Sequence, residues 1–149
     1  MSENLLKLIP HDPQFVPAAT PREVATVLLR MLFLHADGVS ARETAAVEFI
    51  DQGGNFEGVA CPRCGAALDV DWWGDAVDAA FEGCFADLDV TLPCCSATCS
   101  LNDLRYEMPA GFSRFVLEAR NPGRDLTDAE VEALERALGC RLRRVWARY

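Results

Sequence analysis

No stretch of this chain approaches the roughly 20 consecutive apolar residues that a membrane-spanning helix needs. The opening "MSENLLKLIP" also lacks the basic start and long apolar run of a secretory signal. A membrane partner is therefore not expected, and the cytoplasm is the expected compartment. Cations are scarce as well: 14 Lys and Arg stand against 23 Asp and Glu, for a formal net charge of -9. Phosphate contact needs clustered Lys and Arg, so general nucleic-acid binding is not expected either. There is no nucleophile elbow, phosphate loop, H-E-x-x-H pair or dinucleotide fingerprint, and most large enzyme classes carry at least one of these.

What is present suits one compact α+β domain with an inserted subdomain. The chain has 149 residues, half of them hydrophobic, which is long enough to bury a core. Its charge is segregated. Between Gly65 and Ser100 there is no Lys or Arg, while Asp69, Asp71, Asp75, Asp78, Glu82, Asp87 and Asp89 are all acidic. From Arg136 onward the pattern reverses, with Arg136, Arg141, Arg143, Arg144 and Arg148 and no acid among them.

The two ends of the chain read alike. Leu5 to Ile9 is a short apolar strand followed by a proline-rich loop. "TPRE" then predicts a capping box, with Thr20 at the N-cap, Pro21 at the first helical position and Glu23 closing the box. Val24, Val27, Leu28, Met31 and Leu32 follow at helical spacing as the expected buried stripe, and Gly38 is a natural stop. Ala45 to Asp51 alternates as a strand and ends at the Gly53-Gly54 turn. Near the other terminus, "GFSRFVLEAR" predicts a strand and "TDAE" from Thr127 a second capping box. Val131, Leu134 and Leu138 line the helix that follows, Gly139 ends it, and "CRLRRVWARY" closes as a strand. Two βαβ units sharing one antiparallel sheet would make a ferredoxin-like βαββαβ core. Residues 1–52 form its first half and 110–149 its second, with 53–109 as an insertion.

The insertion opens with "CPRCG". A C-x2-C turn lets two sulfurs converge on one tetrahedral metal; Pro62 stiffens the turn and Gly65 lets the backbone curl beneath the second sulfur. A redox pair would instead place a cysteine at a helix N-terminus, and none begins at Cys61 or Cys64. "DWWGDAVDAAFEGCF" reads as a short helix capped by Asp71, with Trp73, Val77, Ala80, Phe81 and Cys84 on its apolar side. "ADLDVTL" is an alternating strand that delivers the chain to "PCCSATC", much as a zinc ribbon keeps cysteines at strand ends. By spacing alone, Cys95-x3-Cys99 or Cys94-x4-Cys99 would complete the site.

The order "CPRCG", an acidic "WW" helix, "PCC" and "SLNDLRY", with "GNFE" before the first knuckle and "AGF" at a later strand start, resembles a group of uncharacterised bacterial zinc-ribbon-containing proteins. The resemblance covers most of the chain and implies no activity. It implies the paired cysteine as the closing half of the site, with a glycine common after it where this sequence has Ser96. The expected ligands of one structural zinc ion are thus Cys61, Cys64, Cys94 and Cys95, with Cys99 as an alternative to one of the last pair.

Other polar groups read more plainly. Cys84 and Cys140 are expected in the core, and His11 and His35 at the surface. Asp69 is expected as a solvated strand position, and "SLND" as a side-chain-stabilised turn. The C-terminal arginines are expected on a solvated strand face, with an acidic partner or the chain's own acidic insert as the alternative. A closed four-cysteine zinc site contributes folding free energy and not Lewis-acid catalysis. The expected function is a non-enzymatic, zinc-stabilised protein-interaction module, adaptor or regulatory, that offers Trp72, Asp75, Asp78 and Glu82 to a basic protein. The alternatives are a thiol- or zinc-dependent enzyme, or a nucleic-acid binder using the basic last strand.

Overall fold

A computed structural model describes residues 2–149 as a mixed α+β chain. Four strands, β1 (Asn4–Pro10), β2 (Gly38–Ile50), β7 (Gly111–Arg120) and β8 (Leu142–Arg148), form one sheet in the order β2-β7-β1-β8. Every neighbouring pair in it is antiparallel. Helices α1 (Ala19–Leu32) and α3 (Asp128–Leu138) pack on one face. There Leu6, Leu8, Phe115 and Leu117 meet Ala25, Leu29, Leu134 and Leu138, all buried. Alternation along β7 sends Val116 to the opposite face, where it packs with Ile9, Ile50 and Val145.

Helix α1 departs from the sequence pattern in two ways. It begins at Ala19 with Ala18 as an N-cap that offers no side-chain bond, so Thr20 lies inside the first turn and the expected capping box is absent. The face turned to the sheet is Arg22, Ala25, Leu29 and Phe33; Arg22 donates to the Ala41 carbonyl and lies over the Phe115 ring. Of the expected stripe, Leu28 and Leu32 are half-buried, whereas Val24, Val27 and Met31 are 52%, 44% and 65% exposed. The apolar arc of the helix, from Val27 round to Leu29, is wider than the part the sheet covers, and the buried part is centred on Ala25 and Leu29. The second box is as expected: Thr127 accepts from the Glu130 amide, Glu130 reaches back to the Thr127 amide, and Gly139 ends α3 at φ 80°.

Strand β2 starts at Gly38, seven residues before the alternation suggested. Glu43 pairs with Phe115 but Glu48 with Ser113, so five steps along β2 match two along β7. This bulge hides the strand's period from the sequence and turns Val47 into the apolar cluster of the next segment. At the end of β2, Lys7 donates to the Tyr149 hydroxyl at 2.7 Å and to the Asp51 carbonyl at 3.0 Å. Tyr149 donates in turn to the Asp51 carboxylate at 2.9 Å. Burial opposes ionisation of Asp51, but the Tyr149 hydroxyl and Lys7 outweigh it and hold its carboxyl below the usual range.

Between β2 and β7 lie β3 (Val59–Ala60), α2 (Val70–Glu82), β4 (Asp89–Thr91), β5 (Thr98–Ser100), a single 3-10 turn at Leu101–Asp103 and β6 (Arg105–Tyr106). β3 pairs with β6, and β4 with β5. Asp69, not Asp71, caps α2, accepting from the Asp71 amide at 2.7 Å. Beyond Glu82 the chain turns through Cys84 and Phe85, both at φ 56°. That turn swings Phe85 into the core and leaves Cys84 exposed, against expectation; Phe81 is likewise 67% exposed.

Buried Asn102 joins this segment to the sheet. Its amide donates to the His11 carbonyl at 2.9 Å and its side-chain oxygen accepts from the Phe112 amide at 2.9 Å. Arg143 donates to the Asn102 and Ala110 carbonyls at 2.9 and 2.8 Å, and Arg144 to the Leu126 carbonyl and Asp128. These two arginines are therefore committed within the chain and do not form a solvated face. At Gly111 a Cβ would come within 2.7 Å of the Arg143 guanidinium and 2.9 Å of the Asn102 side-chain oxygen, so any side chain there would displace a group of the junction.

The two helix starts give a first prediction. Thr127→Ala should cost about 1 kcal/mol of stability, whereas Thr20→Ala should cost less than about 0.5 kcal/mol, as expected of a substitution that removes no cap. The Arg124 side chain and the Thr127 amide hold the Glu130 carboxyl down to about 2. Its contribution is thus complete above about pH 4.3, the unfolded value, and is lost as pH falls through the folded one. Urea unfolding at pH 7 and pH 3 should show the penalty of Glu130→Gln shrinking in acid.

Candidate metal centre

The first knuckle is built by backbone hydrogen bonds. The Cys61 amide donates to the Ala66 carbonyl at 2.9 Å, and the Gly65 amide to the Cys61 carbonyl at 3.0 Å, with Gly65 at φ 78°. The turn aims two amides, those of Arg63 and Cys64, at the Cys61 sulfur, each at 3.3 Å. Donors placed this way favour the thiolate. Burial opposes them, yet the two amides together with the Cys64 and Cys94 thiols bring the Cys61 thiol down to about 6.

The second loop repeats the first. The Leu92 amide donates to the Ala97 carbonyl at 2.8 Å, the Ser96 amide donates to the Leu92 carbonyl at 2.9 Å, and Ser96 lies at φ 60°. "CPRCGA" and "LPCCSA" are thus one backbone motif used twice. Ser96 occupies the left-handed position that Gly65 takes without strain, at a cost of roughly 1–2 kcal/mol. Leu92 stands in the place of Cys61, and both are buried in the same apolar cluster. Cys95 matches Cys64, and Cys94 stands where the first loop has Arg63. The second loop therefore offers sulfurs from its third and fourth positions, where the first uses its first and fourth.

These four sulfurs converge. Cys61 lies 3.8 Å from Cys95, Cys64 3.5 Å from Cys94, and Cys94 3.8 Å from Cys95. All four atoms fall within 4.8 Å of one another. A tetrahedral ion with metal–sulfur bonds of about 2.3 Å sets its sulfurs about 3.8 Å apart, so the group fits a soft or borderline cation. Without a cation the sulfurs must share protons: desolvation and the neighbouring thiols of Cys64, Cys61 and Cys95 push Cys94 up to about 12. Cys61 is buried, while Cys64, Cys94 and Cys95 are exposed.

Cys99 stays outside this group. It lies on β5 opposite Val90, half-buried against the apolar cluster, and desolvation and the nearby Cys61 raise its thiol. Cys140 is half-buried against the main core, and His11 and His35 are exposed. Along α2, Asp71, Asp75, Asp78 and Glu82 are all exposed and share one helical face. Trp72 is half-buried against the cluster. Trp73 is held more firmly, donating to the Tyr106 hydroxyl at 3.2 Å between Phe49 and Phe56. No helix among the described residues is long and apolar enough to cross a membrane.

No family model, curated protein or solved structure matches this chain. The candidate metal centre rests on its own geometry. Setting the hexapeptides "CPRCGA" and "LPCCSA" one above the other is the signal in the sequence that reveals the repeated loop and the role of Leu92.

The repeat makes a sharp prediction. Cys94→Ser should abolish tight metal binding, and adding Leu92→Cys should restore it by rebuilding a C-x2-C pair in the second loop. Metal content after gel filtration, with circular dichroism to confirm folding, checks this. A folded double variant that holds no metal would refute the equivalence of the two loops.

Proposed function

We propose that the chain is a zinc-stabilised, non-enzymatic protein-interaction module of a reducing cytoplasm. In this reading a ferredoxin-like βαββαβ core, residues 1–52 and 110–149, carries a zinc-ribbon-like insertion at 53–109. The convergence of four cysteine sulfurs at tetrahedral spacing carries the proposal. A four-thiolate shell leaves no open position for substrate, so the ion would hold the fold and not polarise a reactant. The sheet order β2-β7-β1-β8, with both core helices on one face, supports the ferredoxin-like reading. The "CPxCG", "PCC" and "SLNDLxY" order supports kinship with the bacterial zinc-ribbon group.

The proposed contact surface is the outer side of α2. Asp71, Asp75, Asp78 and Glu82 make an acidic row, with Val70 and Phe81 exposed on the same helix. A basic protein with an apolar anchor suits it, and Trp72 borders it. Nucleic acid is disfavoured because Arg143 and Arg144 already serve the chain's own carbonyls and carboxylates.

Protein purified without added metal should contain one zinc per chain, and chelation should lower its melting temperature and change the fluorescence of Trp73 as its packing against Phe49 and Phe56 loosens. Metal-free protein that melts unchanged would overturn the structural role. A partner captured from lysate at low salt should be lost at high salt and by Asp75→Lys with Asp78→Lys. Capture unaffected by the double reversal would remove α2 as the contact surface.

A further inference from the structure

The face of α1 turned away from the sheet has the pattern of a helix–helix seam. Thr20, Val24, Val27 and Met31 recur at spacings of four, three and four residues, the a/d rhythm of a coiled coil. They line a shallow apolar groove with Glu23 and Leu28 at its side. Val24, Val27 and Met31 are about half exposed or more, at 52%, 44% and 65%. None of them contributes to the buried core, whose α1 members are Ala25 and Leu29. The valines and methionine are thus an apolar surface that folding of one chain leaves open, on a helix remote from the acidic row of α2.

Charge decides what fits there. Glu23 precedes the first valine of the seam and Arg30 precedes Met31, so both occupy the same flanking position one heptad apart. Both are exposed, and neither forms an ion pair among the described residues. In antiparallel pairing this flank meets the same flank of the partner helix, so a partner with basic and acidic groups in reverse order is required. The helix itself supplies that order.

We propose that α1 docks against α1 of a second copy of this chain, antiparallel and about a twofold axis. With the two 14-residue helices in full overlap, Val24 faces Val27 of the second copy and Thr20 faces its Met31. Glu23 then lies level with Leu28 of the second copy, about 3 Å along the axis from its Arg30. Two Glu–Arg pairs form, one on each side of the twofold, and the helix dipoles oppose. A parallel arrangement would lose this complementarity. The seam is only four layers deep, so the dimer is weak and reversible. The inference is independent of the zinc site and of any basic partner.

Sedimentation analysis of the full chain from about 1 to 200 µM should show a concentration-dependent monomer–dimer equilibrium. Val27→Glu, at an exposed position, should raise the dissociation constant at least tenfold while leaving the circular dichroism spectrum unchanged. Glu23→Arg and Arg30→Glu should each weaken self-association, and an equimolar mixture of the two should form heterodimers. A chain that stays monomeric throughout overturns the proposal, as does a dimer indifferent to Val27→Glu. Failure of the mixture to associate rules out the antiparallel register.

Discussion

Four sulfurs within 4.8 Å of one another are the constraint on which the middle of this protein depends. Four thiolates cannot share so small a volume without a cation, and four thiols give little attraction in its place. The elements around them are slight: β3 and β6 have two residues each, β4 and β5 three, and α2 has no fully buried side chain. Joining Cys64 to Cys94 closes a long loop, which is where a clip gains the most over chain entropy. Repeating one turn twice is an economical way to aim the sulfurs. Replacing the second Cys61-type position by Leu92 keeps the apolar cluster filled and moves the fourth sulfur to Cys94.

A second set of contacts makes the segment continuous with the sheet. Asn102 is buried, and both polar atoms of its side chain have partners, in His11, Phe112 and Arg143. Arg143 belongs to the last strand, Phe112 to β7 and His11 to the end of β1, so one amide gathers three distant parts of the chain. A buried polar atom without a partner would be a liability; partnered, such a network favours one arrangement. Val47, Phe49 and Phe112 meanwhile extend the sheet's apolar surface into the cluster beneath the sulfurs.

The surface left by this architecture is divided by chemistry. Arg143 and Arg144 of the last strand are held by the chain's own carbonyls and carboxylates, while α2 presents carboxylates and α1 an apolar seam. Segregated charge along the sequence thus becomes a division between an acidic helix exposed to solvent and a last strand whose Arg143 and Arg144 are committed to internal contacts.

The sequence by itself determined what local chemistry specifies. The "CPRCG" turn, the Thr127 capping box, the Gly139 terminator and the strands around Leu6 and Val116 follow from residue type and spacing over a few positions. The tertiary structure decided whatever depends on what lies opposite. Which part of α1 is buried was undetermined because its apolar arc is wider than the face the sheet covers, and contact with the sheet takes the part around Ala25 and Leu29. The true start of β2 was masked by a bulge that breaks its alternation. Cys84 turned outward through a left-handed pair that no pattern announces. The choice among Cys94, Cys95 and Cys99 rested on where a distant knuckle would lie, and the fate of Arg143 on a carbonyl 33 residues before it in the chain. Spacing fixes direction along an element; burial and partnership are set by the other side of the contact.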